Sequence, residues 1–349
     1  MAEYKKQHYV PRCYLRFFSN DQTNKLINLY NIKNNRCINN APLNDQCYEK
    51  YYYGKNPEQE KRLSKIESAA TSAIENILKN GRLPKVNSEQ HLALILFILL
   101  QTARTPSAES DSICSFTSLI KELLIYGNPQ HKKAIKEATI RMSNMPSINV
   151  ASAIRSMFLL FDLKYKLFRN RSHEGFITSD HPAVKYNFLY EKRKNHLTKT
   201  GFATRGLQIF IPISSRYCLM FYDGTSYKFG FLRQDTIDVT KPETVDSINC
   251  LQLINRPKNI YFDNMVSSSY VQNIVSSNQG LLADSKFTLK KHPQGFYLHE
   301  QTKDFNLKIP TIRIIPNARK AIKTSDIRNP ELLRLNNMLF DNVDKQNKK

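Results

Sequence analysis

Four groups of polar side chains interrupt apolar stretches of this 349-residue chain. Burying such groups costs free energy unless each finds a partner. His8 and Arg12 flank Pro11 in the opening segment, among Tyr4, Tyr9, Tyr14, Phe17 and Phe18. Chain ends are ordinarily frayed, but these aromatics favour burial, so the N-terminus is expected to dock into the fold. A histidine held in packed surroundings is a candidate general acid or base. The structural alternative is a single hydrogen bond to a carbonyl. Gln101 and Arg104, three residues apart, share a helical face where the most apolar run of the chain stops. An arginine there can present its planar fork to a phosphate or a carboxylate. An internal ion pair with Glu67 or Asp180 fits the sequence equally. Asp180 lies in Thr178-Ser179-Asp180-His181-Pro182, directly after the apolar Phe176-Ile177, at the mouth of an expected strand. It can bind a metal, orient His8 or activate water, or else cap a turn before Pro182. His181 is read as a surface residue. Glu67 sits at the border of an apolar stripe, where a carboxylate is usually solvated, and Glu60, one heptad earlier, shares its face.

The elements that must carry these groups follow from periodicity. Residues 24–32 have strand character. Leu63, Ile66, Ala70, Ile74 and Ile77 recur at helical spacing over residues 58–80, and Gly81 closes the run. Ser88 is placed to cap a second helix reaching Thr105 and stopped by Pro106. The nine apolar residues Leu92–Leu100 in its middle require core on every side. Residues 107–168 read as helical, with breaks at Gly127-Asn128-Pro129 and at Pro146. Strands are expected at Lys164–Phe168, Gly175–Thr178, Leu207–Ile213, Arg216–Tyr222, Lys228–Leu232 and Ile260–Phe262, with a helix over residues 241–255. Phe287–Leu289 and Phe296–Leu298 form a hairpin pattern around Pro293 and Gly295. The expectation is a single continuous α+β domain over residues 1–342. Its α-rich N-terminal half (helical part about 55–165) packs on a mixed, mainly antiparallel sheet from the C-terminal half (about 165–320). Residues 343–349 form a basic tail.

The net charge of +22 implies attraction to polyanions, with nucleic acid or a nucleotide first. The excess is spread along the chain together with many Asn, Ile and Tyr, which a biased genome also produces. The six cysteines are scattered without a C-x-x-C pair, so there is no zinc spacing and no disulfide framework. Cys13 and Cys218 read as small core residues. No signal peptide opens the chain, and the longest apolar run falls far short of the roughly 20 residues a membrane span needs. A reducing, cytoplasmic setting is expected. Walker A, G-x-G-x-x-G, G-x-S-x-G and H-E-x-x-H patterns are absent, as are zinc-finger and RNP signatures. Basic and aromatic residues mix at Tyr4–Phe18, Lys164–Arg171 and Lys185–Arg193, which suits neutralisation of a nucleic-acid backbone with base stacking.

The opening Lys-Lys-Gln-His-Tyr-Val-Pro-Arg-Cys-Tyr-Leu-Arg-Phe-Phe resembles the start of a bacterial family known as domain of unknown function 4238. Ile66-Glu67, Gln101-Thr-Ala-Arg104-Thr-Pro106, Thr178-Ser179-Asp180-His181-Pro182 and Val245-Asp-Ser-Ile-Asn249-Cys-Leu-Gln252 look like that family as well, in order across roughly residues 5–260. His181 is a departure, since family members more often carry Asn there. The resemblance supplies no activity. It implies that His8, Arg104, Asp180 and Asn249 belong to recurring patterns.

Two readings follow. In the first, the protein is a hydrolase acting on a phosphodiester or nucleotide, extending to a role in bacterial defence or toxin action that no residue encodes. His8 is its general acid or base, Arg104 stabilises charge on a phosphoryl oxygen, and Asp180 with Glu67 holds a divalent cation such as magnesium or positions water. Gln101, Asn249 and Arg12 orient the substrate. In the second, the protein binds nucleic acid or another partner without catalysis, and the polar set is a buried network joining the helical half to the sheet half. The sequence leaves oligomeric state open.

Overall fold

The computed structural model describes residues 5–20, 23–191, 200–230, 234–283, 287–292, 295–300 and 305–346. Its helices start and stop where the caps dictate. Asn56 accepts from the Glu58 N–H at the head of Pro57–Asn80, and Pro57 occupies a first turn in which no N–H is needed. Gly81 ends this helix at φ 63°, a left-handed conformation that a side chain resists. Leu63, Ala70, Ala73, Ile74 and Ile77 form its buried stripe. Ser88 caps Glu89–Ala103, whose apolar run is buried almost throughout, as expected. Pro106 does more than stop that helix. Arg104 is its C-cap, Thr105 turns the chain, and Pro106 opens the next helix, Pro106–Gly127, with Thr105 as N-cap. Pro146 likewise lies in the first turn of Met145–Arg155 instead of breaking a longer helix.

The larger sheet, five-stranded among the described residues, is mainly antiparallel. Val184–Tyr186, Gln208–Ser214, Tyr217–Tyr222 and Lys164–Asn170 are antiparallel neighbours, and Thr236–Val239 adds a parallel edge beside Lys164–Asn170. Alternate side chains serve opposite faces. Leu167, Ile209, Ile211, Leu219 and Phe221 meet the inner faces of the two long helices through Ile74, Ile77, Leu94, Phe97 and Ile98. Phe168, Phe210 and Met220 face Val245, Ile248 and Leu251 of the helix Pro242–Ile254, together with Leu307, Ile309 and Ile312. The fold is α+β, with the α-rich N-terminal half packed on a sheet built from the C-terminal half. A second sheet draws on both halves, in the order Arg36–Pro42, Leu26–Asn31, Asn259–Phe262 and Thr178–Ser179.

The N-terminus is docked, as its aromatics require. Lys6–His8 pairs antiparallel with Tyr48–Lys50, and Tyr9, Val10, Tyr14, Leu15 and Phe18 are buried. The Tyr14 hydroxyl reaches the Thr178 hydroxyl at 2.7 Å and donates to the Pro212 carbonyl at 2.6 Å, tying the opening segment to both sheets. The strand expected at Gly175–Thr178 shrinks to Thr178–Ser179, because the Phe176 and Ile177 N–H groups bond to the Ser215 carbonyl and the Asn249 side chain instead of a ladder partner. Lys228–Leu232 becomes Tyr227–Phe229, residues 231–233 lying outside the described set. The hairpin is present as Phe287–His292 and Gly295–Glu300, with Pro293 outside the described residues. Helices at Ser268–Ser277 and Pro330–Gln346 were not expected, and the second runs into the stretch read as a tail.

Candidate functional site

Helix pairing brings Gln101, Arg104 and Glu67 together. Arg104 closes one helix and is 0% exposed, and its Nη1 donates to Glu67 Oε1 at 2.6 Å. With its amide turned carbonyl-inward, Gln101 accepts from Arg104 Nη2 at 2.5 Å and Nε at 3.2 Å. Burial opposes the arginine's charge, but Glu67 together with Tyr53 and Glu60 outweighs it and holds the guanidinium above its ordinary pKa. The internal ion pair that the sequence left open is therefore made with Glu67. Arg104 has no surface to offer a ligand, whereas the Glu67 side chain keeps 18% of its own.

Glu60 lies on the same helix, one heptad before Glu67. Burial pushes its carboxyl up to about 7, the neighbouring charge of Glu67 adds to the shift, and Arg104 opposes it. Glu60 Oε2 is buried without a hydrogen-bond partner, while the buried hydroxyls of Tyr52 and Tyr53 lie within reach of Glu109 and Arg104. Tyr53 is 6% exposed, and its phenol feels the charges of Arg104, Glu60 and Glu67. Gln7 holds this tyrosine in place. Its Nε2 donates to the Gly54 carbonyl at 2.9 Å, and its Oε1 accepts from the Tyr53 N–H at 2.6 Å. Gly54 sits at φ 95°, which its missing Cβ permits.

His8, the next residue on the same short strand, is half-buried, with Nε2 3.4 Å from the Asn44 carbonyl and its ring 5.7 Å from that of Tyr48. Burial lowers its pKa, and Arg12 acts in the same direction, against the Asn44 carbonyl and Glu67. The imidazole is therefore neutral at neutral pH. Arg12 is exposed and donates from Nη1 to Asn44 Oδ1 at 2.7 Å. Cys13 belongs to the same neighbourhood. Burial raises its thiol pKa and the charges of Glu67 and Arg104 reach it, so it is a half-buried neighbour of the site rather than a core residue.

Asp180 and Asn249 serve a different network. Asp180 is 5% exposed, and its carboxylate accepts from the Lys258 N–H at 3.0 and 3.2 Å and from the Asn259 N–H at 3.3 Å. Burial pushes this carboxyl up to about 7 against those bonds. Its charge acts on Tyr9, Cys47 and Tyr261, whereas that of Glu67 acts on His8, Cys13, Tyr53 and Glu60. Asn249 is wholly buried and fully engaged. It accepts from the Ile177 N–H at 3.0 Å and donates to the Gly175 carbonyl and the Tyr270 hydroxyl, each at 3.0 Å. His181 is not a surface residue. It is 6% exposed, its Nδ1 lies 2.7 Å from the Thr105 hydroxyl, and burial drives its pKa down to about 3, so it joins the network as a neutral ring. Ser179 is buried and donates to Gln252 Oε1 at 2.9 Å.

Glu67, Gln101 and Arg104 thus converge, and the charge of Glu67 reaches His8, which shares Asn44 with Arg12 as a bonding partner. Asp180 and Asn249 instead fasten backbone in an adjoining region. Tyr53 is the residue that sequence reasoning missed; the one local signal was the Tyr51-Tyr52-Tyr53-Gly54 run. The expected divalent cation has no ligand set of three His, Cys, Asp or Glu side chains among the described residues. Among them, no helix is long and apolar enough to cross a membrane.

A family model described as protein of unknown function (DUF4238) matches residues 6–265, and the chain belongs to that family. No curated protein and no solved structure matches it.

Proposed function

We propose that this DUF4238 protein is a hydrolase of a phosphodiester or nucleotide, working through an acid–base pair of Glu60 and His8. One observation supports the reading. A carboxyl that keeps its proton to about pH 7 adjoins Glu67, whose charge also reaches a histidine that burial keeps neutral. The acid titrates close to neutrality, and the base, held below the ordinary histidine value, is free to accept a proton there.

In the reaction, water adds to phosphorus and gives one proton to His8. The bond from phosphorus to the leaving oxygen breaks, and that oxygen takes the Glu60 proton. From a phosphodiester the products are a phosphomonoester and an alcohol, from a nucleotide monoester they are inorganic phosphate and an alcohol, and solvent returns the proton from His8 to Glu60. Arg104, wholly inside, acts as a positioning residue by holding Glu67. Arg12, exposed beside His8, supplies the cationic contact for phosphate, and the net charge of +22 favours polyanions at long range.

The test is cleavage of labelled RNA, DNA and nucleotides by wild type, His8→Ala and Glu60→Gln at matched folded concentration. Each variant is expected to lose about 10²- to 10⁴-fold in rate while keeping its melting temperature. Full activity in both variants overturns the reading. So does a wild type that binds nucleic acid in a salt-dependent way without cleaving it. That second result favours a non-catalytic binding protein with a structural polar network, a role compatible with the complete burial of Arg104 and the backbone bonds of Asp180.

A further inference from the structure

We propose that two copies of this protein associate through the helix Pro330–Gln346, paired antiparallel about a two-fold axis near residue 337. The inference stands apart from the hydrolase reading. Asn329 caps the helix by accepting from the Leu332 N–H at 3.1 Å. One side of it faces the chain's own body. Asn336 is buried there, Leu332 and Leu333 are half-buried, and the Phe340 ring lies 6.3 Å from that of Phe158, with the Arg155 guanidinium 5.8 Å from its centre. A helix docked on one side ordinarily turns polar residues to the other. Here the other side carries Leu335, Met338 and Leu339 at helical spacing, with 48%, 51% and 48% of their surfaces exposed.

The charges beside this stripe identify what covers it. Arg334 and Asp341 stand two helical turns apart on one flank of the stripe, and both are exposed. Among the described residues neither makes an ion pair. When two helices pair antiparallel about a two-fold axis, each flank meets its own copy running the other way. With the axis level with residue 337, Leu335 lies opposite Leu339 of the second copy. Arg334 then falls one residue, about 1.5 Å of rise, from the level of Asp341 of the second copy, and the symmetry forms that ion pair twice. A parallel pairing sets like residues level with one another and forms neither pair. The pattern is self-complementary in one orientation, a property that a lipid surface or an unrelated partner does not require. Three apolar side chains per copy cover far less than the ~800 Å² per partner of a stable complex, so the association is reversible.

The experiment is sedimentation velocity of the full chain from about 1 to 100 µM, the range in which a small interface associates. Wild type is compared with Leu335→Asp, Arg334→Glu, Asp341→Arg and an equimolar mixture of the last two, each checked for an unchanged melting temperature. The expected result is a concentration-dependent dimer in wild type that Leu335→Asp abolishes. Each charge variant weakens it roughly tenfold, because both ion pairs become like-charge contacts. Mixing the two charge variants restores association, since each supplies the charge that the other lacks. Should Leu335→Asp melt lower, the mixture decides by itself. A wild type that stays monomeric throughout overturns the proposal, as does a dimer indifferent to Leu335→Asp. Charge variants that mixing does not rescue overturn the antiparallel pairing. A monomer that binds phosphatidylcholine and phosphatidylserine vesicles, and loses them in Leu335→Asp, would give the stripe to a lipid surface and overturn it too.

Discussion

Arg104 is a cation with no exposed surface, and Glu67 and Gln101 make that tolerable by meeting its fork on three nitrogens. Removing one member of a buried pair leaves the other uncompensated. Arg104→Met is therefore expected to cost about 3 kcal/mol in urea unfolding, the lower end for such pairs because Glu67 is partly exposed. A loss below about 1 kcal/mol would show the pair to be dispensable. The same cluster sets a pH profile. Activity should rise as His8 loses its proton, below the usual histidine range, and fall as Glu60 loses its own through about pH 7. An optimum well above pH 8 would exclude Glu60 as the acid. Stability carries a related signature. Glu60 and Asp180 both have folded pKa values raised to about 7, so the stabilisation tied to their protonated forms is complete below the ordinary carboxylate range. It is lost as pH rises through about 7. Asp180→Asn should flatten that dependence in unfolding measurements across pH 4 to about 8.

Among the elements, the helix Pro242–Ile254 shows how a side chain can stand in for a strand partner. Asn249 saturates the Ile177 N–H and the Gly175 carbonyl, so the chain stays ordered where the ladder stops. Gly175 has no room for a Cβ, which would come within 2.8 Å of Val266. Asn249→Ala strands two buried backbone groups and is expected to cost about 3 kcal/mol in unfolding, with activity per folded molecule unchanged. An equally stable but inactive Asn249→Ala protein would instead return this residue to the substrate-orienting role that the sequence suggested. The helix itself was legible in the sequence, because its apolar periodicity is local. That its asparagine bonds backbone 72 residues away was not.

Across the whole molecule, a few long-range polar links join the helical layer to the sheets. Thr105 meets His181, Tyr14 meets Thr178, and Arg256 meets Asp111. The segment beyond the family match is integrated in the same way. Leu307, Ile309, Ile312, Ala318 and Ile322 pack into the core on the far face of the larger sheet, and Ile312–Ile314 pairs with Tyr227–Phe229. Arg328 clamps it by donating to both oxygens of Asp162 at 2.8 to 3.0 Å and to the Thr204 carbonyl at 3.1 Å. Arg328→Ala is expected to lower stability by about 3 kcal/mol. Protease cleavage confined to residues 305–346 at native temperature, with no change in global unfolding, would show that this segment is held separately.

What the sequence by itself determined is everything that depends on neighbours a few residues apart. The cap at Ser88, the stop at Gly81, the alternating strands, the docked N-terminus and the shared faces of Glu60 with Glu67 and of Gln101 with Arg104 all follow from periodicity and local backbone chemistry. Tertiary structure alone decided which polar groups meet. Arg104 found Glu67 rather than Asp180, His181 went inside, and Tyr53 was brought beside Arg104. These outcomes depend on groups separated by 37 and 76 residues, or on where Gln7 pulls a loop 46 residues on. Local pattern fixes which way a side chain faces on its own element, but the register between distant elements is set only when the core packs, and that register selects the partner.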